Sequence, residues 1–253
     1  MPTIDELSEP YANFLRPVLP TGLGVCSSCH TSVIGSFPRC IPCNAARSAL
    51  PSVADSIGFV SLAVKQHQRA YELAFYKDER YSFDKRFRPV AGLTAIFWRW
   101  LKVHEECLAR SAGVPSFSAV TSIPSTRNRV GHPLATMVSE KIGVTIDRYR
   151  PLLLSNPNFP DNRDFSIERF LVQEKVQPGA SVLLIDDTFT KGSRVQSASA
   201  ALKSAGAGTV GVMCIGRHFA PSQEGDFGVA AKSYLKQSEE LAWNWDRCCY
   251  CED

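Results

Sequence analysis

The segment SVLLID (181–186) constrains this chain most. Its apolar run is nearly continuous, so the strand it forms needs cover on both faces, as in the middle of a parallel sheet. The flanking segments keep a strand–loop–helix rhythm. IGFVSLAV (57–64), FSAVTSI (117–123), RPLLL (150–154), RFLVQ (169–173) and TVGVMCI (209–215) read as further strands. Helices are expected around Arg69 to Lys77, from Pro133 to Lys141 with Gly143 closing it, over 193–205, and from Val229 to Leu241. The clearest helix is expected to open near Arg88-Pro89, where proline suits a first turn. Its Leu93, Ile96, Phe97, Trp100, Leu101, His104 and Leu108 recur at three- and four-residue steps and form one apolar stripe. Together these imply an α/β domain with a mostly parallel sheet flanked by helices.

At 253 residues and 44% hydrophobic content the chain can bury one sizeable core and a small accessory module. Two units are expected: an arm and cysteine module over 1–50, broken by Pro10, Pro17 and Pro20, and an α/β domain over 51–253. No apolar stretch approaches the roughly 20 residues of a spanning helix. The acidic N-terminus MPTIDELSEPYANFL does not read as a secretory signal, so a cytoplasmic location without a membrane span is expected. The net charge of +3 is too small to argue for nucleic-acid binding alone. Residues 60–102 hold nine Lys or Arg against four acids, which reads as a solvated helical face in preference to an anion-facing surface.

The strand 181–186 ends in two adjacent acids and runs into a loop, VLLIDDTFTKGS (182–193), before a helix opens. Ligands collect outside the carboxyl ends of strands in open α/β sheets, and a helix N-terminus favours phosphate. Gly192 allows close backbone approach, Thr188, Thr190 and Ser193 offer hydroxyls, and Lys191 adds a charge. Asp186 and Asp187 are suited to sugar hydroxyls or to Mg²⁺. Well upstream, SIPSTRNRVGHP (122–133) is a second strand-end loop. Its Ser125, Arg127 and Arg129 suit a pyrophosphate, since arginine can form paired bonds to phosphate oxygens. No P-loop motif occurs, and the lone Gly22–Gly24 pair lies outside any βαβ unit.

Four of the nine cysteines form two C-x-x-C pairs, Cys26–Cys29 and Cys40–Cys43. Two such knuckles complete a tetrahedral zinc site of the closed, structural kind, which this donor set favours over an iron–sulfur cluster or redox disulfides. His30 is read as a bystander. Cys107 and Cys214 read as small buried hydrophobes. Cys248, Cys249 and Cys251 fit either a second metal with a distant ligand such as His218 or a packed end cap anchored by Trp243 and Trp245. Packing is the favoured reading, because no fourth ligand adjoins them.

The 182–193 stretch resembles the signature of type I phosphoribosyltransferases, with Lys191 where Thr or Ser is usual. The cysteine pairs, the arginine loop and the acidic strand, in this order over roughly residues 25–217, are similar to the ComF-like branch of that family. The resemblance implies binding of 5-phosphoribosyl 1-pyrophosphate with Mg²⁺. It places Asp186 and Asp187 on the ribose hydroxyls as the catalytic pair. Thr188, Thr190, Lys191, Gly192 and Ser193 would take the 5′-phosphate, and Ser125, Arg127 and Arg129 the pyrophosphate. It also implies a closing loop over Asp147–Asp164, with Arg148, Arg150 and Arg163 as reaching cations. Arg129-Val-Gly-His-Pro133 departs from the branch, and the acceptor base or amine stays open. The branch is associated with DNA uptake. The alternative expectation is therefore a non-catalytic accessory that meets DNA or a protein partner through the zinc ribbon and the basic surface, with Phe97, Trp98 and Trp100 as stacking groups.

Overall fold

The computed structural model describes residues 3–125, 132–160, 162–221 and 225–251. Among them the chain opens with the short helix α1 (Ile4–Ser8), closed at its start by a Thr3–Glu6 capping box. The cysteine module leads into α2 (Ile41–Ala49). Then follow β1 (Ser56–Val64), α3 (Gln68–Phe75), α4 (Phe83–Ser111), β2 (Ala119–Ser122), α5 (Pro133–Thr136), a π-helical turn (Met137–Lys141) and α6 (Gly143–Ile146). The rest is β3 (Leu153–Ser155), β4 (Phe170–Val172), β5 (Ser181–Phe189), α7 (Ser193–Ser204), β6 (Thr209–Phe219) and α8 (Gly225–Glu240).

Four parallel strands form the sheet in the order β1-β6-β5-β2, and β3 and β4 make a small antiparallel pair. The α/β expectation holds at this level. Both faces of β5 are covered because its side chains alternate. Val182 and Leu184 pack with Val195, Ala198 and Leu202 of α7. Leu183 and Ile185 pack with Ile96, Phe97 and Trp100 of α4. Every residue of the α4 stripe is buried. The cysteine module has no separate core: Cys26, Cys29 and Cys43 lie in the same buried cluster as Val64 and Phe219 of the sheet.

Several boundaries move. α4 begins at Phe83, six residues before Pro89, which stands inside the helix. Proline removes one donor there, the bond to Lys85, on an exposed turn of the helix. Gly143 does not close a helix. Ile142 turns to an extended conformation and Gly143 opens α6, against Trp98, whose ring would lie 2.8 Å from a Cβ at this position. β5 continues past both acids to Phe189, because Thr188 and Phe189 still pair with Gly216 and Arg217 of a longer β6. α8 starts at Gly225, ahead of Val229.

Candidate functional site

The carboxyl end of β5 and the first turn of α7 frame a cavity of about 470 Å³. Asp186, Asp187, Thr188, Thr190, Lys191, Gly192 and Ser193 all line it, together with Lys77 from beyond α3 and Asn162, Arg163 and Arg169 from the segment before β4. Gly192 has φ +82°, and a Cβ there would also meet the Phe189 ring at 2.3 Å. Only glycine satisfies both the left-handed turn and the ring contact. The unpaired N–H groups at the start of α7 therefore open onto the same space as the two carboxylates.

Asp186 and Asp187 are adjacent yet differ electrostatically. Asp187 Oδ2 accepts hydrogen bonds from Tyr76 Oη at 2.7 Å and Lys77 Nζ at 2.6 Å. Burial would raise its pKa, but the Lys77 charge and these two bonds outweigh it and hold the carboxyl below its ordinary value. Asp186 feels Arg194 and Lys77 only at a distance; its Oδ1 accepts the Asp187 backbone N–H at 2.9 Å. Burial, then the neighbouring Asp187 charge, push it up to about 6. Tyr76 carries no signal in the sequence, and Lys77 reads there only as one cation of the 60–102 stretch. The signal, a lysine at the end of a helix beside the acidic strand, is visible only once α3 is placed over β6 and β1.

Ser125 stands half-buried just past β2 and does not line the cavity; Arg127 and Arg129 lie outside the described residues. The loop is nonetheless tied to α7, since Arg194 Nη2 donates to the Pro124 carbonyl at 2.5 Å. Of the cations in the proposed closing loop, Arg163 reaches the cavity. Arg148 does not: it is held by Glu105 at 2.6 Å and by the carbonyls of Phe117 and Val144. The basic stretch 60–102 is only partly a solvated face. Arg69 is buried against Glu72 and Ser61, Lys77 meets Asp187, and Arg99 pairs with Glu9 and Asp5. Phe97 and Trp100 are buried in the core and present no stacking face.

The N-terminal cysteines come together as two knuckles. Cys26 and Cys29 sit in a tight turn, and Cys40 and Cys43 bracket the start of α2. Their sulfurs lie within 4.8 Å of one another, with Cys29 and Cys40 at 3.6 Å. Tetrahedral zinc with about 2.3 Å bonds would set sulfurs about 3.8 Å apart, so the group could hold such a metal. Hydrogen bonding from Cys29, Cys40 and Cys43 holds Cys26 well below the ordinary thiol range. His30 stays outside the cluster, its Nδ1 donating to the Leu19 carbonyl at 3.0 Å.

Arg217 joins this cluster to the loop between β5 and α7. Its Nε donates to the Cys29 carbonyl and its Nη2 lies 3.4 Å from Cys29 Sγ. Its Nη1 donates to the carbonyls of Phe189, Thr190 and His218. A second group, His104, Cys107, Cys248 and Cys251, also gathers its ligand atoms within 4.8 Å and could hold a metal. Cys107 is thus more than a buried hydrophobe, and the fourth member of the group is His104. His218 lines the cavity at the end of β5 instead. Cys249 does pack in the core, as does Cys214.

No protein-family model matches this chain, and neither the curated proteins nor the solved structures contain a match. Among the described residues no helix is long and apolar enough to cross a membrane.

Proposed function

We propose that this protein binds 5-phosphoribosyl 1-pyrophosphate with Mg²⁺ and transfers or senses its phosphoribosyl group, on a type I phosphoribosyltransferase fold of the ComF-like kind with zinc in the N-terminal ribbon. One observation carries the reading: two buried carboxylates at the end of a central strand open into the same cavity as the glycine turn and N-terminus of α7. Asp186 is the acceptor for ribose hydroxyls, and Asp187 shares that edge while paired to Lys77. Thr188, Thr190 and Ser193, with the N–H groups behind Gly192, take the 5′-phosphate, and Lys191 adds charge at the rim. Arg163, from the far side of the cavity, is assigned to the diphosphate, and Arg127 and Arg129 are assigned to it from the sequence alone. Mg²⁺ held with the diphosphate supplies neutralisation of its charge. In the transfer case the anomeric C–O bond to pyrophosphate breaks as a bond to an acceptor base or amine forms, the acceptor's proton passing to solvent.

Calorimetric titration with phosphoribosyl pyrophosphate, with and without Mg²⁺, tests the reading. Asp186→Asn with Asp187→Asn keeps shape and removes charge. Mg²⁺-dependent binding is expected to fall at least about tenfold, or about 1.4 kcal/mol, in a double variant that folds and keeps its N-terminal metal. Unchanged binding by that folded variant would sink the assignment. Pyrophosphate release across a panel of nucleobases then separates transfer from sensing.

A further inference from the structure

We infer that His104, Cys107, Cys248 and Cys251 bind a second zinc ion, which latches the C-terminal tail onto α4. The sulfurs of Cys107 and Cys251 are 3.8 Å apart and those of Cys248 and Cys251 are 3.5 Å apart. His104 Nδ1 lies 3.6 Å from Cys251 Sγ and 3.9 Å from Cys107 Sγ. Around a tetrahedral zinc with bonds of about 2.3 Å to sulfur and about 2.0 Å to nitrogen, edges of roughly 3.5 to 3.8 Å are expected. A disulfide would bring two sulfurs to about 2.05 Å, and all four groups converge instead of two. One nitrogen and three thiolates in a tetrahedral array favour zinc over the hard divalent cations.

The surroundings supply what such a site needs beyond its ligands. His104 Nε2 is 2.8 Å from the Trp245 carbonyl, which can only accept, so this nitrogen carries the proton and Nδ1 offers its lone pair to the sulfurs. The Cys248 N–H donates to Cys251 Sγ and the Tyr250 N–H donates to Cys248 Sγ. Arg110 Nη2 stands 3.7 Å from Cys107 Sγ and offsets the surplus negative charge of three thiolates on one divalent ion. His104 and Cys107 are three residues apart on α4, hence on one helix face. Cys248 and Cys251 form a knuckle whose sulfurs are half-buried, leaving the ion a path from solvent.

The latch has a structural consequence. Between its ligands the tail places Tyr250 Oη against the backbone of Ile57, 3.1 Å from its N–H and 2.9 Å from its carbonyl, along the edge strand β1. The same hydroxyl lies 3.1 Å from His30 Nε2, next to the N-terminal cluster. Upstream, Trp243 stacks on Trp100 and Arg99 lies over the Trp245 ring. A metal joining α4 to 248–251 therefore holds a cover over the open edge of the sheet.

Elemental analysis of the full-length protein, purified without added metal, tests the inference. Two zinc ions per chain are expected in the unaltered protein. One is expected in a Cys248→Ser, Cys251→Ser variant and one in a Cys26→Ser, Cys29→Ser variant. A single zinc in the unaltered protein, lost with the N-terminal pair alone, would overturn the inference, as would an intact mass showing a Cys248–Cys251 disulfide. Folding of the variants need not be assumed. Cobalt exchanged into the unaltered protein should give tetrahedral visible bands for two sites, and X-ray absorption at the zinc edge should show about one nitrogen for every seven sulfurs, from four and three thiolates plus one imidazole. Sulfur-only coordination at a single site would be fatal. In His104→Gln, expected to fold, limited proteolysis should cut the tail before Trp245 at least about tenfold faster than in the unaltered protein, the scale of one lost ligand. An unchanged rate with two zinc ions still bound would remove the latch.

Discussion

On the α7 face of the sheet the N-terminal cysteines close a short loop: Cys29 and Cys40 are 11 residues apart. On the α4 face Cys107 and Cys251 are 144 residues apart, and α4 has a buried core of its own contacts with the sheet. The same contrast holds for charge. The buried cation of the α7 face, Arg217, is satisfied mostly by main-chain carbonyls, whereas on the α4 face Lys77 and Asp187, and Arg148 and Glu105, meet side chain to side chain. Local clusters that share the sheet's core are part of folding; a long-range cluster fastens a structure that packing has largely built.

Three experiments probe this contrast. The largest effect belongs to Cys26→Ser with Cys29→Ser. The substitutions take two buried thiols out of the core and, with them, the proposed metal, and denaturant unfolding should show a loss of more than about 4 kcal/mol. Equal losses from the tail cluster, Cys248→Ser with Cys251→Ser, would break the distinction drawn here. Next is Arg217→Met, which leaves the carbonyls of Cys29, Phe189 and Thr190 without their shared donor; about 3 kcal/mol of stability should go, measured by urea unfolding. The proposed phosphate binding at the α7 turn should weaken with it, and a stable variant with unaltered binding would show that the two sites are not joined through this side chain.

The smallest and sharpest effect separates the two acids. Asp186 is raised to about 6, so the folded state holds more protons than the unfolded one between about 4 and 6. Its contribution to stability is present at low pH and is lost as pH rises through about 6. Asp187 is lowered, so its contribution is present above the ordinary carboxylate value and is lost as pH falls through its depressed one. Asp186→Asn should accordingly stabilise the ligand-free protein at pH 8 by about 1 kcal/mol, and Asp187→Asn should destabilise it by a similar amount at that pH. Thermal unfolding from pH 2 to 8 reads both. Matching signs would mean that Lys77 serves the two carboxylates alike.

What the sequence by itself determined is what spacing along a short stretch dictates. The continuous apolar run of β5 required cover on both faces. The three- and four-residue steps from Leu93 to Leu108 built a buried stripe. Two C-x-x-C pairs brought four sulfurs together, because each knuckle is local. Even the acids and the turn at Gly192 stand where one strand meets one helix. Only the tertiary structure decided which face each acid took, since that depends on register between β5 and β6, and it extended β5 through Phe189 by pairing that no single segment encodes. It also set Lys77 against Asp187 and gave Cys248 and Cys251 the partners they lacked. His104 and Cys107 are unremarkable on α4 until packing of Trp243 and Trp245 beside Trp100 and Arg99 brings the tail to them. A ligand set divided between a helix and a distant tail has no periodicity to read, because the distance that matters is across the packed core and not along the chain.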